Sequence, residues 1–253
     1  MNKPAALAAD SARQYWRSVR RAPGTHLWLV LLLASTEVVQ HVKPPTAQRI
    51  LELHSTNLHY LAHDPIRVLI TSTWYLAGGS WLTYFVLYTL FHAPAEHWLG
   101  TRRWLAVVLI THIGATYLSE GVLDRAIHLG LAPQNAAHTL DYGVSYALAG
   151  VQAVLTYRIP KPWRYPYAAA VLLLYGIALA ASHDFTSIGH FDAALLGFAC
   201  YPLTHRRPSP LDRPAEGAPA IPETDDITLS DHRQGPEQTC DRRSGVLTVK
   251  LRT

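Results

Sequence analysis

The chain has 253 residues and a formal charge of +4, from 22 Lys and Arg against 18 Asp and Glu. That length allows one domain with a polar extension, and a mean hydropathy of +0.05 averages very apolar blocks with polar ends. Cys200 sits in an apolar run and Cys240 in a polar one, so no disulfide framework is indicated. The basic residues fall in short clusters, which excludes a basic nucleic-acid-binding domain.

Arg13, Arg17, Arg20 and Arg21 precede the first apolar block, His26–Val42. No small-x-small cleavage site introduces a soluble domain after it, so an uncleaved first span is expected rather than a signal peptide. The link Lys43–Thr73 is mixed. Ile50, Leu51, Leu53, Leu58 and Leu61 have helical spacing among polar residues. This suggests an amphipathic helix on the outer membrane surface, or a loop helix packed on the bundle.

Further blocks follow at Gly78–Glu96, Trp104–Tyr117, Asp141–Tyr157, Tyr165–Ala181 and Thr186–Leu203. Each approaches the roughly 20 residues that cross about 30 Å of hydrocarbon. Trp104–Tyr117 is short alone, and needs Arg103 to snorkel or Leu118–Val122 to extend it. A soluble bundle alternates apolar and charged faces, whereas these blocks are apolar nearly all round. The residues after Pro208 are rich in proline and charge and poor in large apolar side chains, which predicts a disordered tail.

Charge between the blocks sets their orientation. Lys3 and the N-terminal arginines, Arg102 and Arg103, Arg158, Lys161 and Arg164, and Arg206 and Arg207 fall on alternate links. The positive-inside rule then predicts six spans with both ends in the cytoplasm. The expected organisation is an N-terminal segment 1–25, a membrane domain 26–205 and a tail 206–253, in the plasma membrane of a bacterial cell.

In this topology the fourth and sixth spans both start at the outer face. Ser145 follows Asp141 by four residues and His190 follows Thr186 by four, so both lie about one helical turn deep. Gly189, Ala193 and Gly197 on one span, and Gly143, Ala147 and Gly150 on the other, allow close helix approach. A serine becomes a nucleophile when a base takes its proton, and histidine is the usual base. Glu37, His112, Glu120 and Asp192 occupy the same outer half. Ionisable groups in spans usually face a bundle interior or wet cavity, so an outward-opening cavity is expected, or else interhelical hydrogen bonds. His54, His59 and His63 do not align on one helix face, no metal motif or phosphate loop occurs, and no metal or cofactor is expected.

These features resemble the rhomboid family of intramembrane serine proteases. The chain's "GVSY" matches a Gly-x-Ser motif at Gly143 and Ser145, and "GHFDAALLG" is similar to the family's His-x-x-Gly-x-x-x-Gly, with Gly197 in the last place. "AEHWLG", Ala95–Gly100, resembles the glutamate-and-Leu-Gly signature ending span two, and "DPIRVLITS" the segment leading into that span. The likeness covers about Leu27–Leu203. It implies a six-transmembrane-helix rhomboid-like bundle, with Ser145 and His190 as a catalytic dyad.

There are departures. Tyr146 stands where the family has a glycine after the serine, and Ser80 and Tyr84 stand where active members carry oxyanion-binding histidine and asparagine. Losing one oxyanion donor costs about 10²–10³ in rate. Gly143, Ser80, Tyr84, His112, Asp141 and Asp192 are the candidate oxyanion or cavity groups. Two functions are expected: a serine endopeptidase cleaving membrane proteins near the outer face, or a non-proteolytic member that binds or assists membrane segments. The implied partners are lipid and a transmembrane substrate or client, with no nucleic acid. A transporter lacks support, since no inverted repeat is apparent.

Overall fold

A computed structural model describes residues 19–76, 80–182 and 184–205, and every regular element among them is helical. The chain divides into Met1–Arg207 and Pro208–Thr253. The expected disordered tail lies outside the described residues.

Helix α1, Pro23–His41, opens on a proline, whose fixed φ suits a first turn. Its free N–H groups are capped from a distance. Glu96 accepts from Gly24 N–H (2.9 Å), Thr25 N–H (2.7 Å) and the Thr25 hydroxyl (2.8 Å). One face of α1 buries Trp28, Leu29 and Leu32, while Leu27, Val30 and Val38 point outward.

The link after α1 is three short helices: α2 (Pro44–Leu53), α3 (Leu58–His63) and α4 (Pro65–Thr71). Asn57 and Asp64 cap α3 and α4. No residue of α2 is buried against the bundle. The stretch from Ser55 to Val68 fits the expectation of a loop helix packed on the bundle, because Ser55, Thr56, Asn57, Leu61 and Val68 are buried.

The second apolar block is one continuous helix in three parts: α5 (Trp81–Leu87), a π-helical turn (Tyr88–His92) and α6 (Ala93–Leu99). Pro94 explains the turn, because a proline ring clashes with the carbonyl four residues earlier and the wider winding relieves that clash. Gly100, at φ +80°, ends the helix in a conformation that side chains disfavour.

Helix α7, Thr101–His128, is longer at both ends than its apolar block. Its 28 residues span about 42 Å. The buried stripe runs from Trp104 through Val108, Thr111, Ala115 and Ser119 to Leu123 at helical spacing. Helix α8, Gly143–Leu155, has only 13 residues, about 20 Å. It is the central helix: every residue in it except Ser145 is buried. Helix α9, Arg164–Ser182, buries only Val171 and turns Leu172, Leu173, Leu174 and Ile177 outward. Helix α10, Phe185–Ala199, is capped by Asp184, whose carboxylate accepts from Ser187 N–H at 2.6 Å.

Helices α7, α8 and α10 form the tightest contacts of the bundle. A Cβ on Gly150 would fall 2.3 Å from Thr111, and one on Gly197 would fall 2.3 Å from the Gly150 carbonyl oxygen. The small-residue stripes therefore lie on touching faces, and Gly143, Ala147, Gly189 and Ala193 are buried with them. Among the described residues, two helices are long and apolar enough to cross a membrane by length and composition, α7 and α9.

Candidate active site

Ser145 is the third residue of α8 and His190 the sixth of α10. They line one cavity of about 250 Å³, together with Tyr75, Tyr84, Asp141, Tyr142 and Thr186. The two side chains form no direct hydrogen bond. Tyr142, at the N-cap of α8, makes no side-chain cap, and the helix has no acidic residue in its first turn. The N–H groups of that turn lack helical partners and carry the positive end of the helix dipole.

Two tyrosine rings contact His190. Tyr146 meets it edge-on at 5.1 Å between centroids, and Tyr175 of α9 lies nearly parallel at 6.0 Å. Thr186, one turn earlier, offers its carbonyl to the imidazole.

The link after α1 clamps the entry of α8. Asp141 N–H donates to Ser55 Oγ at 2.8 Å, and the Asp141 carbonyl accepts from Thr56 N–H at 2.9 Å. The Tyr146 hydroxyl donates to Asp141 Oδ1 at 2.9 Å, and Thr56 Oγ1 lies 3.3 Å from Oδ2. The Tyr142 hydroxyl donates to the Leu51 carbonyl at 2.8 Å. Outside the helical blocks, burial and then the Arg67 charge push His54 below its usual pKa, which favours a neutral ring stacked on Tyr75 at 4.6 Å.

The remaining sequence candidates separate. Tyr84 and Asp141 line the cavity, and Gly143 is buried beside it. His112 lies under Gly143, where a Cβ would meet its ring at 1.9 Å, and its Nε2 bonds the Leu69 carbonyl at 2.8 Å. Ser80 is exposed at the N-cap of α5 and does not line the cavity. Asp192 is half-buried and also outside the lining. Glu37 is exposed and faces His41 at 3.5 Å, so it does not belong to the outer cavity expected from the sequence. Glu120 is buried, with the Leu58 N–H beside it but outside normal hydrogen-bond geometry.

Sequence reasoning missed Ser55, Thr56, Tyr142, Gln152 and Tyr175. The Ser-Thr-Asn run within the first link and the lone glutamine within an apolar block were the available signals. Among the described residues no three His, Cys, Asp or Glu side chains converge as a metal-binding group. His59 does touch both His63 (4.7 Å) and His138 (4.9 Å) through its ring.

The described residues form an all-helical bundle with two long apolar helices and a cavity lined by a serine and a histidine. The family model described as "Rhomboid-like protein" matches residues 17–210, and the chain belongs to that family. Neither a search of curated proteins nor one of solved structures gives a match.

Proposed function

We propose that this rhomboid-like membrane protein is a serine endopeptidase that cleaves membrane-protein segments near the outer face. The observation that carries the reading is the shared cavity, with Ser145 as the single residue of α8 left unburied and His190 in the same lining. In this reading six spans cross the plasma membrane with both ends cytoplasmic, over a membrane domain 26–205. The segments 1–25 and 206–253 lie on the cytoplasmic side.

The Ser145 oxygen attacks the scissile carbonyl carbon while His190 takes the hydroxyl proton. The carbonyl π electrons move to oxygen, and the first-turn N–H groups of α8 are the donors available to that oxyanion. Tyr84 also lines the cavity and carries a hydroxyl that can donate. Collapse of the tetrahedral intermediate breaks the C–N bond, and His190 returns its proton to the leaving amine. Water, deprotonated by His190, then hydrolyses the acyl-enzyme and restores Ser145.

The test is labelling of the purified full chain with a serine-directed fluorophosphonate. Labelling should be lost in Ser145→Ala and nearly lost in His190→Ala, because nucleophile and base act as a unit. Labelling that persists in Ser145→Ala would sink the assignment.

A second reading is a non-proteolytic member that binds or assists membrane segments. It is favoured by the place of Ser80, exposed and outside the cavity, and by the missing Ser145–His190 hydrogen bond. An unlabelled wild type that still crosslinks to single-span membrane proteins through a photoreactive residue at Tyr84 would select it.

A further inference from the structure

Helix α9 is weakly held to the bundle. It buries one side chain, Val171, and its main neighbour is α10. Two tyrosines on the Val171 side of α9 nonetheless reach across to a single residue of α8. The Tyr167 hydroxyl donates to the Gln152 carbonyl at 2.9 Å, and the Tyr175 hydroxyl donates to Gln152 Oε1 at 2.5 Å. Gln152 is buried, and it is the one polar side chain in the last two turns of α8. It lies seven residues, or two turns, after Ser145, on the same side of the helix. The ring that Gln152 holds is the one lying parallel to His190.

We infer that Gln152 and Tyr175 are positioning residues for His190. The Gln152 amide fixes the Tyr175 hydroxyl. That fixes the Tyr175 ring, and together with the Tyr146 ring it holds the His190 imidazole in one orientation toward the cavity. A buried amide in an apolar helix costs free energy unless it is hydrogen-bonded, and here its oxygen is engaged by the residue that packs against the histidine. The circuit closes on one helix: α8 supplies Ser145, Tyr146 and Gln152, α10 supplies His190, and α9 supplies Tyr175. The inference rests on the proposed reading of Ser145 and His190 as the reactive pair. Its test has one readout that depends on that reading and one that does not.

The experiment is a double-mutant cycle on the full chain in detergent micelles, with Gln152→Leu, Tyr175→Phe and the two combined. The first readout is the rate of fluorophosphonate labelling of Ser145 as a function of pH. The second is the ¹⁵N resonance of the His190 ring, identified by its loss in His190→Gln. Each single substitution should slow labelling about tenfold, and the double should be no slower than either single, because both remove one hydrogen bond of a shared network. The His190 resonance should move in all three.

Additive rate losses, or an unmoved His190 resonance in Tyr175→Phe, would overturn the inference. If the wild type is not labelled, the reading of Ser145 fails and the His190 resonance alone decides the positioning role. Tyr175→Phe keeps the ring and its packing, so it remains informative should Gln152→Leu not fold.

Discussion

Replacing Gly197 by alanine tests the three-helix seam on which the site is built. The added Cβ would lie 2.3 Å from the Gly150 carbonyl oxygen, 2.8 Å from Gly150 Cα and 2.9 Å from Ala153 Cβ. Two of these three neighbours are backbone, so no side-chain rotation relieves the overlap. Ordinary contact requires α8 and α10 to separate locally by about 1 Å. Overpacking of this kind costs about 1–3 kcal/mol. In a bundle of this size that corresponds to about 2–12 °C in Tm. Gly121→Ala in α7 is the control. Nothing lies within 4 Å of its added Cβ, so the substitution should only gain helix propensity, up to about 1 kcal/mol. Thermal unfolding of the full chain in micelles compares the two. Gly197→Ala melting as high as Gly121→Ala would refute close backbone contact between α8 and α10.

Glu96→Ala should destabilise the bundle by about 3 kcal/mol in the same assay, because it leaves the Gly24 and Thr25 N–H groups without their acceptor. Glu96→Gln, which keeps an oxygen, should lose less. The Arg67 guanidinium, bonded to the exposed Asp64 carboxylate at 2.7 Å, holds Asp64 below its usual 3.8. A carboxylate with a lowered folded-state pKa contributes stability that is full above its unfolded value and is lost as pH falls through the lowered one. Asp64→Asn should therefore lower stability slightly at neutral pH and flatten the acid end of the curve, so that the two curves converge as pH falls through the lowered pKa. In a chain with Cys200 and Cys240 replaced, cysteines at Asp124 or Asp184 should react with an impermeant thiol reagent from outside intact cells. Cysteines at Thr101 or Pro160 should not, and labelling at Thr101 would break the proposed topology.

The longer helices were legible because each coincides with an apolar block. Their lengths were less so. His112, Thr116, Ser119 and Glu120 dilute the hydropathy of α7, yet all four lie on its buried stripe, so the helix runs on where the apolar block stops. In α8 the opposite holds. The block from Asp141 to Tyr157 reads as a full span, but Asp141 and Tyr142 are drawn out of the helix by Ser55, Thr56 and Leu51. Those contacts join residues more than 80 apart, and no local pattern encodes them. Helix periodicity and charge between the blocks put Ser145 and His190 at one expected depth; that both line one cavity needed the packing of α8 against α10. The roles of Gln152 and Tyr175 needed the packing of α9, whose sequence is apolar on every side.

Tyr146 decides how far the chain's departures reach into the site. A tyrosine in place of glycine beside the serine could take space at the site. In the structure its ring is fully buried in the seam between helices, packed with Ala115, Ala149 and Ala193, and it does not line the cavity. The space it takes comes from α10, where a Cβ on Gly189 would fall 2.5 Å from the ring. Its hydroxyl is satisfied by Asp141, the residue that the first link holds in place. The tyrosine thus has its own socket and its own acceptor, and Ser145 remains the one open position of α8. Tyr146→Gly would then empty the socket, free one Asp141 oxygen and take away one of the rings that contact His190. The expected outcome is a loss of about 3–5 kcal/mol of stability, as for large-to-small core changes, with no gain in fluorophosphonate labelling. Faster labelling in Tyr146→Gly would show that the ring does obstruct the serine.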